Sequence, residues 1–169
     1  MPKFMSQDRT LHNLFQNGGN LGTADSLLDS MDENNIDSSI VMGMGWADHS
    51  FNSYVNDYLM ESQLSSGGRL VPVTGITPQH GDTGIYEAER CISAGSHGFG
   101  ELHVSEQGMS GKSFDFLEPY MNMLKAENFP LVVHSSEPVG HQYPGKGRTN
   151  PQALEELIQR FPRSKIVLA

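Results

Sequence analysis

Gly98-Phe99-Gly100-Glu101-Leu102-His103-Val104 and Pro130-Leu131-Val132-Val133-His134 are two short apolar runs of strand type, and Leu117, Tyr120, Met121 and Leu124 recur between them at helical spacing. Two strands joined through a helix lie parallel, because the right-handed crossover returns the chain to the same sheet. Pro119 is compatible with that helix because it falls near the first turn, where a missing N–H costs nothing. Downstream, Asn150 as cap and Pro151 at the first helical position open a helix with the stripe Leu154, Leu157, Ile158 and Phe161. Lys165-Ile166-Val167-Leu168-Ala169 then begins another strand.

The same unit repeats upstream. Thr23 can cap a helix over about 23–34 whose apolar positions are Ala24, Leu27, Leu28 and Met31. Ser38-Ser39-Ile40-Val41-Met42-Gly43 follows as a buried strand. Phe51, Tyr54, Val55, Tyr58 and Leu59 form the next apolar face, and Arg69-Leu70-Val71-Pro72-Val73-Thr74-Gly75-Ile76 the next strand. Ile85, Ala88 and Ile92 mark a helix ended at Ala94-Gly95. Five strands separated by four amphipathic helices predict an α/β fold with a parallel sheet. An open doubly wound sheet and part of a (β/α)8 barrel, which needs about 250 residues, both fit this pattern. The length of 169 residues suits the open sheet. Against it, Ala169 ends the sequence inside an apolar strand with no helix to cover it, and neither nucleotide fingerprint, GxGxxG after a strand or GxxxxGK[ST], occurs.

Composition narrows the function classes. With 11 Lys+Arg against 20 Asp+Glu the net charge is −9 and the pI about 5.1, which argues against a nucleic-acid partner. No apolar run approaches the ~20 residues of a membrane span, and Met1 to Thr10 has no signal-peptide core. Cys91 is the single cysteine, so no internal disulfide can form, and a reducing, cytoplasmic setting is expected.

In parallel α/β folds reactive groups gather at the C-terminal ends of strands. His134 stands at such an end, before a long loop over 135–148 that carries His141, Tyr143 and Lys146. Glu101 and His103 stand two apart, hence on one face of their strand, though the direction of that face is unread. Imidazole and carboxylate are ligands for Zn²⁺ or Mn²⁺, and a divalent ion could activate water. The plainer readings stand beside this one. His134 could be a hydrogen-bonded structural residue, since one His without partners at ligand spacing specifies no metal. Glu101 could cap a helix or pair with Lys146 or Arg148, and the loop side chains could simply pack and solvate the loop. Trp46, just past a strand end, could line a pocket or join the core, and His12, His49, His80 and His97 read as surface residues.

Several blocks carry a resemblance. They are Leu28-Asp29-Ser30-Met31-Asp32, Asn35-Ile36-Asp37-Ser38-Ser39-Ile40-Val41, Gly98-Phe99-Gly100-Glu101-Leu102, Pro130-Leu131-Val132-Val133-His134 and residues 161–169. A further stretch over 136–147 looks like a subgroup signature. Along most of its length the chain resembles the amidohydrolase-related metal-dependent hydrolases of TIM-barrel fold. That group includes decarboxylases similar to aminocarboxymuconate semialdehyde decarboxylase. The family's metal site resembles a His-x-His pair on barrel strand 1, a His on strand 5, a His on strand 6 and an Asp on strand 8, with a strand-4 residue sometimes contributing. His134 matches the strand-5 His and Glu101 the strand-4 position. No His-x-His occurs in the sequence.

The resemblance therefore implies one incomplete TIM-barrel domain over residues 1–169, about five of eight strands, lacking strand 1 and strands 7 and 8. It implies a parent enzyme that uses a divalent ion, Zn with Mn as the alternative, to activate water or to polarise a small carboxylate or carbonyl substrate. Non-oxidative decarboxylation is the alternative reaction. In that reading His134 is a metal ligand, Glu101 lines the metal or holds its water, and His141, Tyr143 and Lys146 contact an anionic group of the substrate. With one expected ligand of roughly four or five, the chain by itself is expected neither to bind Zn²⁺ tightly nor to catalyse. Two open sheet edges and uncovered apolar faces are expected too, which leaves room for a homo-oligomer. A rival from another class, a non-catalytic open-sheet ligand-binding domain, predicts that the strand ending at Ala169 is an ordinary edge strand. A third reading, a barrel enzyme of sugar-isomerase type with carboxylate-held metal, needs acids at several strand ends, and only Glu101 qualifies clearly.

Overall fold

Local chemistry sets the helix ends. In the computed structural model, which describes residues 8, 11, 12, 15, 22–109, 114–136, 139–143, 146 and 149–169, helix α1 (Ala24–Glu33) opens on a reciprocal capping box. The Thr23 hydroxyl accepts from the Ser26 N–H at 3.2 Å, and the Ser26 hydroxyl accepts from the Thr23 N–H at 2.9 Å. Helix α2 (His49–Ser65) is capped by Asp48, whose carboxylate accepts the Phe51 N–H at 2.8 Å. Helix α3 (Asp82–Ala94) stops at Gly95, whose φ of 110° an L side chain rarely adopts. Helix α4 (Glu118–Glu127) takes Pro119 in its first turn, and α5 (Pro151–Arg160) starts with Asn150 Oδ1 accepting the Ala153 N–H at 2.9 Å.

Between the helices run β1 (Ser39–Met42), β2 (Leu70–Val73), β3 (Phe99–Leu102), β4 (Pro130–Val133) and β5 (Lys165–Leu168). They form two parallel sheets, β1-β2 and β3-β4-β5, bridged where Thr74 pairs with Phe99. The strand order follows the chain, as in a TIM barrel, but the sheet does not close; the fold is a partial barrel of α/β class.

Burial grades outward from the middle of this sheet. Phe99, Leu131 and Val133 are fully buried and pack with Leu117, Tyr120, Leu124 and Leu157 from the helical layer. At the two edges the apolar strands face solvent: Ile40 of β1 is 70% exposed and Val167 of β5 48%. The register of β3 against β4 shifts between Phe99 and Leu102, so that both residues, three apart, reach the core. Glu101, next to Leu102, lies outside that apolar layer and is only partly buried. Among the described residues no helix is long and apolar enough to cross a membrane.

Candidate metal centre

The C-terminal ends of the strands are stitched together by backbone bonds. Gly43 N–H donates to Val73, Glu101 N–H to the Gly43 carbonyl at 2.7 Å, and His134 N–H to the Leu102 carbonyl at 2.9 Å. At Gly43 a Cβ would lie 3.0 Å from the Gly75 backbone nitrogen, so glycine permits this close approach of strand ends. Asp8, 1% exposed, ties down the turn after β1, its Oδ2 accepting from Ala47 and Asp48 N–H, both at 2.8 Å.

On this platform Glu101, His103 and His134 meet, with one ligand-type atom from each lying within 4.8 Å of the others. His134 donates its Nδ1–H to Glu101 Oε1 at 2.9 Å, a charge-assisted bond that fixes the ring's tautomer. The His103 and His134 rings stack in parallel, 4.1 Å between centroids and 8° between planes. His103 Nε2 stands 3.4 Å from Glu101 Oε2, near enough for charge attraction but outside hydrogen-bond geometry. His103 is 3% exposed, and neither ring nitrogen has a hydrogen-bond partner. Two buried nitrogens without partners are costly unless something else occupies them, and a cation suits both the lone pair and the carboxylate beside it. The His103 imidazole first and the His134 imidazole second hold the Glu101 carboxyl down to about 2, against the opposing effect of burial.

The structure thus brings two of the sequence candidates, Glu101 and His134, into direct contact. It adds His103, which the sequence placed on Glu101's face without assigning it a role. His141, Tyr143 and Lys146 gather on the loop after β4, whose base is closed by Ser136 and Thr149 exchanging two bonds of 3.1 and 3.2 Å. There the Lys146 ammonium donates to the Val139 and His141 carbonyls at 3.0 and 3.3 Å and sits 5.8 Å from the Tyr143 ring centroid. Trp46 is buried against Phe51, with ring centroids 4.6 Å apart. His12, His80 and His97 are exposed, and His49 holds Thr77 Oγ1 at 2.8 Å. Gln107 is the neighbour that sequence reasoning missed, since its partners come from three separate loops.

Comparison with known proteins places the chain in a family. Over residues 22–169 the chain matches the family model described as amidohydrolase. No curated protein matches it. Among solved structures, a 5-carboxyvanillate decarboxylase from Sphingomonas paucimobilis superposes with a TM-score of 0.58 at 19% identity, over 94% of this chain and 52% of that one. A probable 2-pyrone-4,6-dicarboxylic acid hydrolase from Acinetobacter baumannii, solved with citric acid bound, gives 0.54 at 12% identity over 86% and 47%. A 2,6-dihydroxybenzoate decarboxylase in complex with 2,6-dihydroxybenzoate gives 0.50 at 17% over 96% and 48%. Such identities speak for the fold, and the chain spans about half the length of these structures. With the family model covering residues 22–169, this chain belongs to the amidohydrolase family.

Proposed function

We propose that this domain carries part of the active site of a metal-dependent hydrolase acting on a small carboxylate-bearing substrate. The observation that carries the reading is the buried His103, neither of whose ring nitrogens is hydrogen-bonded, beside the bonded pair Glu101 and His134 at the strand ends. His134 and His103 would hold a divalent ion, Zn with Mn as the alternative, with Glu101 beside it. Such an ion supplies polarisation of a carbonyl or carboxylate and activation of water. Glu101 is poorly suited to accept a proton near neutral pH, because its carboxyl is held near 2. Its role is that of a permanent anion that lines the site and orients the His134 ring. His141, Tyr143 and Lys146 offer a cation and aromatic edges to the anionic end of the substrate. Non-oxidative decarboxylation is the second reading, supported by the fold shared with two decarboxylases of aromatic acids. The net charge of −9 supports a small molecule rather than a nucleic acid as partner, and buried, reduced Cys91 suits a cytoplasmic setting.

Titrating the 169-residue chain with Co²⁺, a spectroscopic substitute for Zn²⁺, tests the reading. One saturable site is expected, of modest affinity because three donors are present, and His134→Ala should weaken it by at least about tenfold. Equal binding by the two proteins would remove His134 from the site.

A further inference from the structure

We propose that Gln107 is the positioning residue of this site, setting where the His103 imidazole stands relative to Glu101 and His134. The inference rests on the metal-site reading above and extends it to a residue that touches neither metal nor substrate. Gln107 is 3% exposed and lies in the turn that follows β3. Its Oε1 accepts the His103 N–H at 3.0 Å, and its own N–H donates back to the His103 carbonyl at 2.9 Å. Its Nε2 donates to the Trp46 carbonyl at 3.2 Å and to the Ile76 carbonyl at 2.7 Å. One amide therefore grips His103 by its main chain and fastens it to the segments after β1 and β2.

This grip matters because Glu101 Oε2, 3.4 Å from His103 Nε2, attracts the ring without hydrogen-bonding it. With no hydrogen bond to either ring nitrogen, the ring's placement comes from its backbone and from packing against His134 and Gly45. The chemistry also selects glutamine. Its oxygen must accept from one N–H while its NH₂ donates to two carbonyls, and a carboxylate in its place would face both carbonyls with lone pairs. A shorter Asn would not span the three partners.

Two variants separate the contacts: Gln107→Met removes the three side-chain bonds at similar length and leaves the main-chain bond to the His103 carbonyl, whereas Gln107→Glu also keeps an acceptor for the His103 N–H. In the metal-free 169-residue chain, nuclear Overhauser contacts between the His103 and His134 rings and amide exchange at His103 are measured. Co²⁺ alone is then titrated. Gln107→Met is expected to abolish the ring contacts, to speed His103 exchange and to weaken Co²⁺ binding by about tenfold, with the β4 amides still protected. Gln107→Glu should keep more of the ring contacts than Gln107→Met through its acceptor for the His103 N–H, and lose less Co²⁺ affinity, but repulsion from the Trp46 and Ile76 carbonyls should leave it short of the wild type. Wild-type ring contacts in Gln107→Met would overturn the proposal, and so would equal losses in the two variants or loss of β4 protection along with them. Should Gln107→Met fail to fold, Gln107→Asn is read in its place against the same criteria. If the wild-type chain binds no Co²⁺, the metal reading falls, while the ring contacts still decide the role of Gln107.

Discussion

Replacing Glu101 by Gln isolates the charge at the centre of the site. The carboxyl is held at about 2 against an ordinary value of 4.5, by His103 first and His134 second. A depressed folded-state value means that the ionised group stabilises the fold at every pH above about 4.5. That contribution is lost as pH falls through about 2. The displacement corresponds to about 3 kcal/mol at neutral pH, of which about 2 kcal/mol disappears between pH 6 and pH 3. Glu101 keeps 18% of its side-chain surface exposed, so solvent screening trims the loss over that interval to about 1–2 kcal/mol. The assay is urea unfolding of the wild-type chain and Glu101→Gln at several pH values, with chelator present to keep the site free of metal. Other carboxylates titrate in both proteins and cancel in the difference. The wild-type advantage should be largest near pH 6 and shrink toward pH 3 by about 1–2 kcal/mol. A difference that stays flat over this range would refute the assignment of the low value to the two imidazoles.

Two further substitutions probe the scaffold. At Gly45 a Cβ would overlap His103 Cβ and lie 2.6 Å from the His103 backbone nitrogen, so Gly45→Ala should destabilise the chain by about 1–3 kcal/mol and weaken Co²⁺ binding along with it. An unfolding midpoint and a Co²⁺ titration that match the wild type would contradict that packing. Leu157 is fully buried while Ile158, next to it on α5, is 44% exposed; Leu157→Ala is therefore expected to cost about 2–5 kcal/mol in denaturant unfolding and Ile158→Ala about 0.5 kcal/mol or less. Similar losses at both positions would mean that α5 is rotated on the sheet.

The legible features were those whose cause is local. Thr23, Asn150 with Pro151, and Gly95 mark their helix ends through bonds or torsions confined to one turn, and the structure has the helices ending there. His134 was legible as a strand-end residue because an apolar run stops at it. Other features needed partners remote in sequence. Ile158 reads as part of the apolar stripe of α5, yet the width of the face that is covered depends on how the helix lies against β4 and β5. Alternation along β3 shows that Glu101 and His103 share a face but not which one, and the shift between Phe99 and Leu102 breaks the period that would have told.

By itself, then, the sequence determined the order of parallel strands and helices, the α/β class and the family resemblance, because hydrophobic period, caps and motif spacing are written along the chain. Only the tertiary structure decided that His103 joins Glu101 and His134 and that its ring nitrogens are left without hydrogen bonds while Gln107 holds its main chain. Those contacts join residues from four strand ends. Their distances follow from the stagger and convergence of the strands, which no short stretch of sequence encodes.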